Sequence, residues 1–171
     1  MDEVRIGVAG IGGMGSNHTG YLTKGDGVSG ARLTAVADVD PARLEWAKTA
    51  LGDGIKRFGT PEEMIGSGEV DAVIIATPHY FHPPIAVAAF EAGLHVMSEK
   101  PAGVYTRQVK EMNEAATKAG TVFSLMLNQR ARGQTRKLKE LVASGELGEI
   151  TRTNYIITSW FRAQSYYDSG G

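Results

Sequence analysis

Three short stretches of this 171-residue chain combine residue types that could do chemistry. The first is Gly10-Ile11-Gly12-Gly13-Met14-Gly15, which follows the apolar run Ile6 to Ala9 and opens a helix from about Met14. About twenty residues further on, a second apolar run, Leu33 to Ala37, ends in Asp38. This is the spacing of a dinucleotide fingerprint. Gly10 permits the tight turn, Gly12 lets the backbone approach a pyrophosphate, and Gly15 lets the helix pack on the strand. The phosphates would lie at the helix N-terminus, where unpaired N–H groups and the positive dipole end converge. Asp38 would accept hydrogen bonds from the adenosine ribose hydroxyls. With 22 glycines in the chain, the turn alone is weak, and the flanking strand, helix and acid carry the reading.

The second stretch is Glu99-Lys100-Pro101. An ammonium at a strand end, partly desolvated and near a cofactor, can hydrogen-bond a substrate hydroxyl and titrate below its usual range. A cis bond is open to Lys100-Pro101. The competing reading of Lys100 is an ordinary solvated loop lysine. The third stretch is Ala76-Thr77-Pro78-His79-Tyr80-Phe81-His82, at the end of a β-branched run. Thr77 and Pro78 either touch cofactor or merely start a helix. His79 and His82 lack the further Cys or His that a metal site needs, so no metal is expected. His82 lines the cleft or caps the next helix, and His18 packs or touches the cofactor edge. His95 is a strand position facing solvent. Asn128 and Arg130 either orient substrate or satisfy backbone at a strand end. Arg43 could meet a 2′-phosphate but reads better as a surface residue. Asp38 and Asp40 would repel such a phosphate, so NAD is expected rather than NADP.

The elements that must hold these residues alternate between strand-like and helix-like patterns, which predicts a parallel sheet with helices on both faces. Asp40-Pro41 supplies an N-cap and a proline at the first helical position, with Leu44, Ala47 and Leu51 on one face. Lys56 to Phe58 reads as a short edge strand, and Thr60-Pro61-Glu62-Glu63 as a capping box. Val70 to Ala76 is a strand buried on both faces. A helix runs from Pro83 to Ala92, a strand from His95 to Glu99, and a helix from Thr106 to Ala119 with Val109, Met112, Ala116 and Ala119 inward. Thr121 to Leu127 is a further strand, and Thr135 to Ser144 a helix with Leu138, Leu141 and Val142 inward. Glu149 to Thr158 reads as one more strand, leading to Trp160, Phe161, Tyr166 and Tyr167 and then to Ser169-Gly170-Gly171. That arm either docks on the domain or a second subunit, or begins another domain.

Composition narrows the partners. Eighteen basic residues against 19 acidic give a formal net charge of -1, with no electrostatic case for nucleic acid or an anionic membrane. There is no cysteine, so no disulfide, thiolate metal site or cysteine nucleophile. The N-terminus lacks a signal-peptide pattern and no apolar run reaches transmembrane length. A cytoplasmic location is expected.

Taken together, these residues resemble the glucose–fructose oxidoreductase/inositol dehydrogenase (Gfo/Idh/MocA) family. The likeness runs through Ile6-Gly7-Val8-Ala9-Gly10-Ile11-Gly12 with Gly15, Ala37-Asp38, Thr77-Pro78 with His82, Ala92-Gly93-Leu94-His95-Val96, Glu99-Lys100-Pro101 and Gly145-Glu146-Leu147-Gly148-Glu149-Ile150. The resemblance implies a Rossmann domain over 1–148, with 149–171 the first strand of an incomplete α+β domain for substrate binding and oligomerisation. It also implies an NAD(P)-dependent dehydrogenase of a sugar, polyol or related cyclic alcohol, homo-oligomeric when complete. Hydride would pass to the nicotinamide while a base removes the hydroxyl proton, with Lys100 working beside an aspartate and a histidine of the second domain. The expected cofactor contacts are Gly10, Ile11, Gly12, Gly13, Met14, Gly15, Asp38, Ala76, Thr77, Pro78, His82, Glu99, Lys100 and Asn128. On this reading the chain is an N-terminal fragment, inactive alone. An NAD-dependent glycoside hydrolase of the same family and a non-catalytic dinucleotide-binding or assembly module are the alternatives. A Rossmann domain for flavin or S-adenosylmethionine is disfavoured by Glu99-Lys100-Pro101.

Overall fold

The alternation of strand and helix signals resolves into a six-stranded, wholly parallel sheet in the order β3-β2-β1-β4-β5-β6. The strands are β1 (Val4–Ala9), β2 (Ala31–Ala37), β3 (Lys56–Phe58), β4 (Ala72–Ile75), β5 (His95–Ser98) and β6 (Phe123–Leu125). The computed structural model describes residues 3–23, 28–158 and 161–168. The strand order is that of a dinucleotide-binding Rossmann sheet, and its direction reverses between β1 and β4. In open sheets of this kind ligands bind beyond the carboxyl ends of the strands at such a reversal.

The helices that cross between strands begin and end on local signals. The first, α1 (Gly13–Thr23), starts inside the glycine turn. In α2 (Pro41–Leu51), Asp40 caps the start by accepting the Ala42 N–H at 2.9 Å, with Pro41 in the first turn. Thr60 caps α3 (Pro61–Ile65) by accepting the Glu63 N–H, and the Glu63 carboxylate reaches back to the Gly59 N–H rather than to that of Thr60. A 3-10 turn (His79–Phe81) leads into α4 (His82–Glu91), and α5 (Thr106–Ala119) ends at Gly120 with φ +67°.

Alternation along the strands feeds two apolar layers. Ala9, Val73 and Ile75 join Met64, Ile85, Phe90 and Met112 on the face covered by α3, α4 and α5. Val8, Leu33 and Val36 join Ile11 and Ala47 on the face covered by α1 and α2. Gly7 leaves room for packing: a Cβ there would come within 2.7 Å of the Met64 sulfur and 2.8 Å of Val70, so those side chains would have to shift.

The chain divides into two compact units, Met1–Leu127 and Asn128–Gly171. The second contains α6 (Asn128–Ala131), α7 (Gly133–Ala143) and α8 (Gln164–Asp168). Two expectations fail within it. Thr151 to Thr158 forms no regular structure, and Tyr155 and Ile156 are exposed. A strand-like segment becomes a strand only when a neighbour takes its N–H and C=O groups, and among the described residues no strand pairs with it. The apolar stripe of α7 is not buried either: Leu138 and Val142 are 57% and 46% exposed, with Leu141 half-buried. The pattern fixes which side of the helix is apolar but supplies no surface to cover it. Trp160 and Ser169-Gly170-Gly171 lie outside the described residues.

Candidate active site at the carboxyl edge of the sheet

The glycine turn sits at the end of β1, pinned on both sides by the sheet. The Gly10 N–H donates to the Ala37 carbonyl at 2.8 Å, and Ala76 N–H donates to the Ala9 carbonyl at 2.8 Å. Gly10 has φ +82°, and a Cβ there would lie 2.8 Å from the Thr77 nitrogen. A Cβ on Gly15 would run into the Gly10 carbonyl oxygen, so the helix can approach the turn only as glycine. At Gly12 and Gly13 a Cβ would meet nothing. The first and third glycines of the motif are thus demanded by the protein itself, while the middle ones face open space where a ligand phosphate could approach the backbone.

Asp38 is set at the end of β2 by two main-chain donors. Its Oδ2 accepts the Ile11 N–H at 2.8 Å and its Oδ1 accepts the Asp40 N–H at 2.9 Å. A carboxylate has roughly four acceptor sites, so both oxygens keep capacity for ribose hydroxyls. Across the β1/β4 reversal, the Thr77 hydroxyl oxygen is buried with no hydrogen-bond partner among the described residues. An orphaned buried hydroxyl at a strand end is a polar atom that a bound group could satisfy.

Beyond β5, the Glu99 N–H donates to the Ile75 carbonyl at 2.8 Å, and the Glu99 side chain is buried. Its Oε1 lies 2.8 Å from His18 Nε2 on α1, and its Oε2 accepts the Lys100 N–H at 3.2 Å. Lys100-Pro101 is a cis peptide. Lys100 is exposed, so the partial desolvation expected for it is not met in these residues. An ammonium on a four-carbon stem at an open strand end stays in solvent unless other groups close over it.

The histidines separate clearly. His82 is wholly buried, with Nε2 2.8 Å from the Thr77 carbonyl oxygen and Nδ1 2.8 Å from that of Pro101. His79 is exposed, its ring edge-on to His82 with centroids 5.6 Å apart. Partial desolvation, then the positive influence of His82 and Lys100, holds the His79 imidazole below its usual range, against an opposing pull from Glu99. His95 is exposed as expected, and its Nδ1 also accepts the Val122 N–H at 2.9 Å. Among the described residues no group of His, Cys, Asp or Glu could hold a metal ion. Asn128 and Arg130 fall in the second unit, within α6.

The sequence reading missed the contact between His18 and Glu99, which are 81 positions apart. It also missed the Ile11 N–H as the partner that orients Asp38. A carboxylate at a buried strand end, Glu99, was the available signal for the first, since such a group needs a partner.

The family model described as "Oxidoreductase family, NAD-binding Rossmann fold" matches residues 4–127. The chain belongs to the Gfo/Idh/MocA oxidoreductase family. Its matched segment coincides closely with the first compact unit, so this unit is the family's NAD-binding domain. The chain is 34% identical over 151 residues to an inositol 2-dehydrogenase of Corynebacterium glutamicum, covering 86% of this chain and 43% of that protein. Over 98 residues it is 43% identical to inositol 2-dehydrogenase 1 of Saccharopolyspora erythraea, covering 57% of this chain and 28% of the relative. The crystal structure of scyllo-inositol dehydrogenase from Lactobacillus casei with bound NAD(H) and scyllo-inositol superposes with a TM-score of 0.81 at 32% identity, over 88% of this chain and 44% of that one. The WlbA dehydrogenase from Bordetella pertussis, in complex with NADH and UDP-GlcNAcA, gives a TM-score of 0.84 at 31% identity, over 98% of this chain and 50% of that one. The chain spans less than half the length of the curated relatives it matches. Among the described residues, no helix is long and apolar enough to cross a membrane.

Proposed function

We propose that this chain forms the cofactor half of an NAD-dependent dehydrogenase acting on a secondary hydroxyl of a sugar, cyclic polyol or related alcohol. One observation carries the reading: at the carboxyl edge of one parallel sheet, the glycine turn, an acid pre-oriented by the Ile11 N–H, and Glu99-Lys100-Pro101 converge. The residues present fit the dinucleotide. Gly12, Gly13 and Met14 face the pyrophosphate, Asp38 the adenosine ribose, and Ala76, Thr77 and Pro78 the nicotinamide side. His82 serves that segment through the Thr77 carbonyl, and Glu99 adjoins it. When bound, NAD supplies the hydride acceptor.

The chain's own residues do the rest. Lys100, exposed at the strand end, donates a hydrogen bond to the reacting hydroxyl and stabilises the negative charge that develops as a base of the family's second domain takes the hydroxyl proton. Asp38 selects an unphosphorylated ribose, because a 2′-phosphate would face the carboxylates of Asp38 and Asp40. The names of the relatives, inositol dehydrogenases and a nucleotide-sugar dehydrogenase, support a polyhydroxylated ring as the substrate class. A formal net charge of -1 supports a small-molecule partner rather than nucleic acid or membrane. A cytoplasmic location and a homo-oligomeric assembly belong to the same proposal.

Calorimetric titration of the 171-residue chain with NAD and NADP tests the cofactor half. Saturable binding of NAD that exceeds binding of NADP is expected, and no heat with either at millimolar concentration refutes it. For the reaction, NADH release from myo- or scyllo-inositol is followed in the longest natural form of the protein, with K100M expected to abolish it. Glycoside cleavage without net NADH release would replace the dehydrogenase by a hydrolase.

A further inference from the structure

We propose that two buried histidines from different helices, His18 and His82, are positioning residues that brace the Lys100 main chain, one through Glu99 before it and one through Pro101 after it. The tripeptide Glu99-Lys100-Pro101 leaves the sheet after β5, and beyond Glu99 no sheet ladder holds it. The Lys100 N–H and the Pro101 carbonyl are instead met by side chains. On one side the Glu99 carboxylate is turned inward, 8% exposed, between the Lys100 N–H at 3.2 Å and His18 Nε2 at 2.8 Å. A carboxylate is buried at high cost unless its oxygens are satisfied, and apolar residues would pack such a site more cheaply. What the carboxylate adds is an acceptor for the amide of the lysine, and what His18 adds is the partner that keeps it there.

On the other side, His82 is 0% exposed and its two nitrogens each lie 2.8 Å from a main-chain carbonyl oxygen. One belongs to Thr77, at the end of β4, and the other to Pro101, directly after Lys100. A neutral imidazole can donate to one of them and an imidazolium to both. The ring lies between the two strand-end loops, with a main-chain acceptor at each nitrogen. The long lysine stem has ample freedom of its own, so where its ammonium can reach depends on where these contacts hold its Cα. His18 stands on α1, the helix whose N-terminus lies within the glycine turn, so the cofactor turn and the lysine are built on one braced unit.

The inference rests on Lys100 being the group that handles the hydroxyl, but its readout is the lysine's surroundings rather than turnover, so the two fail separately. The amide isosteres give a directional test. The terminal amide of Asn reaches where Nδ1 does, and that of Gln where Nε2 does. His82→Asn therefore keeps the donor to Pro101 and His82→Gln does not, whereas His18→Gln keeps the contact to Glu99 and His18→Asn does not. The eight lysines of the chain are 13C-methylated, and the Lys100 signal is assigned by its loss in K100R. Spectra are taken at pH 8, where His79, whose ring abuts His82, stays neutral.

H82Q and H18N are expected to move the Lys100 methyl signal by more than a linewidth, while H82N and H18Q leave it near its original position. In H18N the Lys100 amide should also exchange roughly tenfold faster, the loss of one hydrogen bond. A Lys100 signal unmoved in folded H82Q and H18N, or moved alike by all four changes, overturns the proposal. Should a variant not fold, the unmodified chain still decides: unprotected exchange at the Lys100 amide contradicts the brace.

Discussion

Replacing Asp38 by alanine separates recognition of the ribose from integrity of the turn. The carboxylate is half-buried and already accepts two main-chain N–H groups, from Ile11 and Asp40. Its remaining capacity is what a ribose would use. A hydrogen bond to a charged group contributes about 1.5–3 kcal/mol, and water at this open edge offsets part of a second one. The loss therefore corresponds to about a 10- to 150-fold weaker Kd for NAD. The substitution also orphans the Ile11 N–H and loosens the turn, which would weaken any dinucleotide equally. The NAD/NADP ratio tells these apart. Removing a carboxylate that faces a 2′-phosphate relieves repulsion, so NADP should lose less than NAD or gain. Calorimetry of D38A with both cofactors reads this directly, with thermal unfolding as a control. A parallel fall for the two dinucleotides, or an unchanged Kd for NAD, would refute the assignment of Asp38 to the ribose.

Three other perturbations test the frame around the site. Gly15→Ala drives a Cβ into the Gly10 carbonyl oxygen, a backbone atom held by the neighbouring Gly10 N–H to Ala37 contact. Overpacking of this kind costs about 1–3 kcal/mol, lowering Tm by roughly 2–4 °C per kcal/mol, and an unshifted Tm would show that the turn has slack. Met112→Ala, at a side chain 0% exposed between α5 and the sheet, should destabilise by about 2–5 kcal/mol in urea unfolding. The third is acid titration. The Arg5 guanidinium and N–H hold the Asp71 carboxyl below its usual range, with the Nη2–Oδ1 contact at 2.7 Å. Because the folded-state value lies below the unfolded one, the stabilisation is present above the ordinary carboxylate pKa and is lost as pH falls through the folded value. Unfolding curves between pH 5 and 2, values chosen to bracket the ordinary carboxylate pKa of about 3.9, should therefore steepen less in D71N than in the parent.

Within the first unit, most of what positions the site was legible in one dimension. Strand ends, proline-capped helix starts and glycine stops depend on residues a few positions apart, so β3 and α5 fall where the pattern places them. The glycine turn with its trailing acid is legible for the same reason: its spacing is a local property of one strand, one helix and the next strand. The second unit was not legible in this way. Residues 149–158 read like a strand, with Tyr155, Ile156 and Ile157 in one run, and α7 is striped like a packed helix, yet both describe only what a partner surface would need.

Local pattern by itself determined the Rossmann class, the phosphate turn and the set of residues gathered at the strand ends. Tertiary structure decided how those residues are held. Only the parallel register brings the Ile11 N–H to Asp38 across 27 positions and His18 to Glu99 across 81. Hydrogen bonds between distant positions arise from sheet order and helix crossing, and no spacing along the chain encodes them. That is why His18 and His82 read as packing or cleft residues in the sequence, and as braces around Lys100 once the strands are placed side by side.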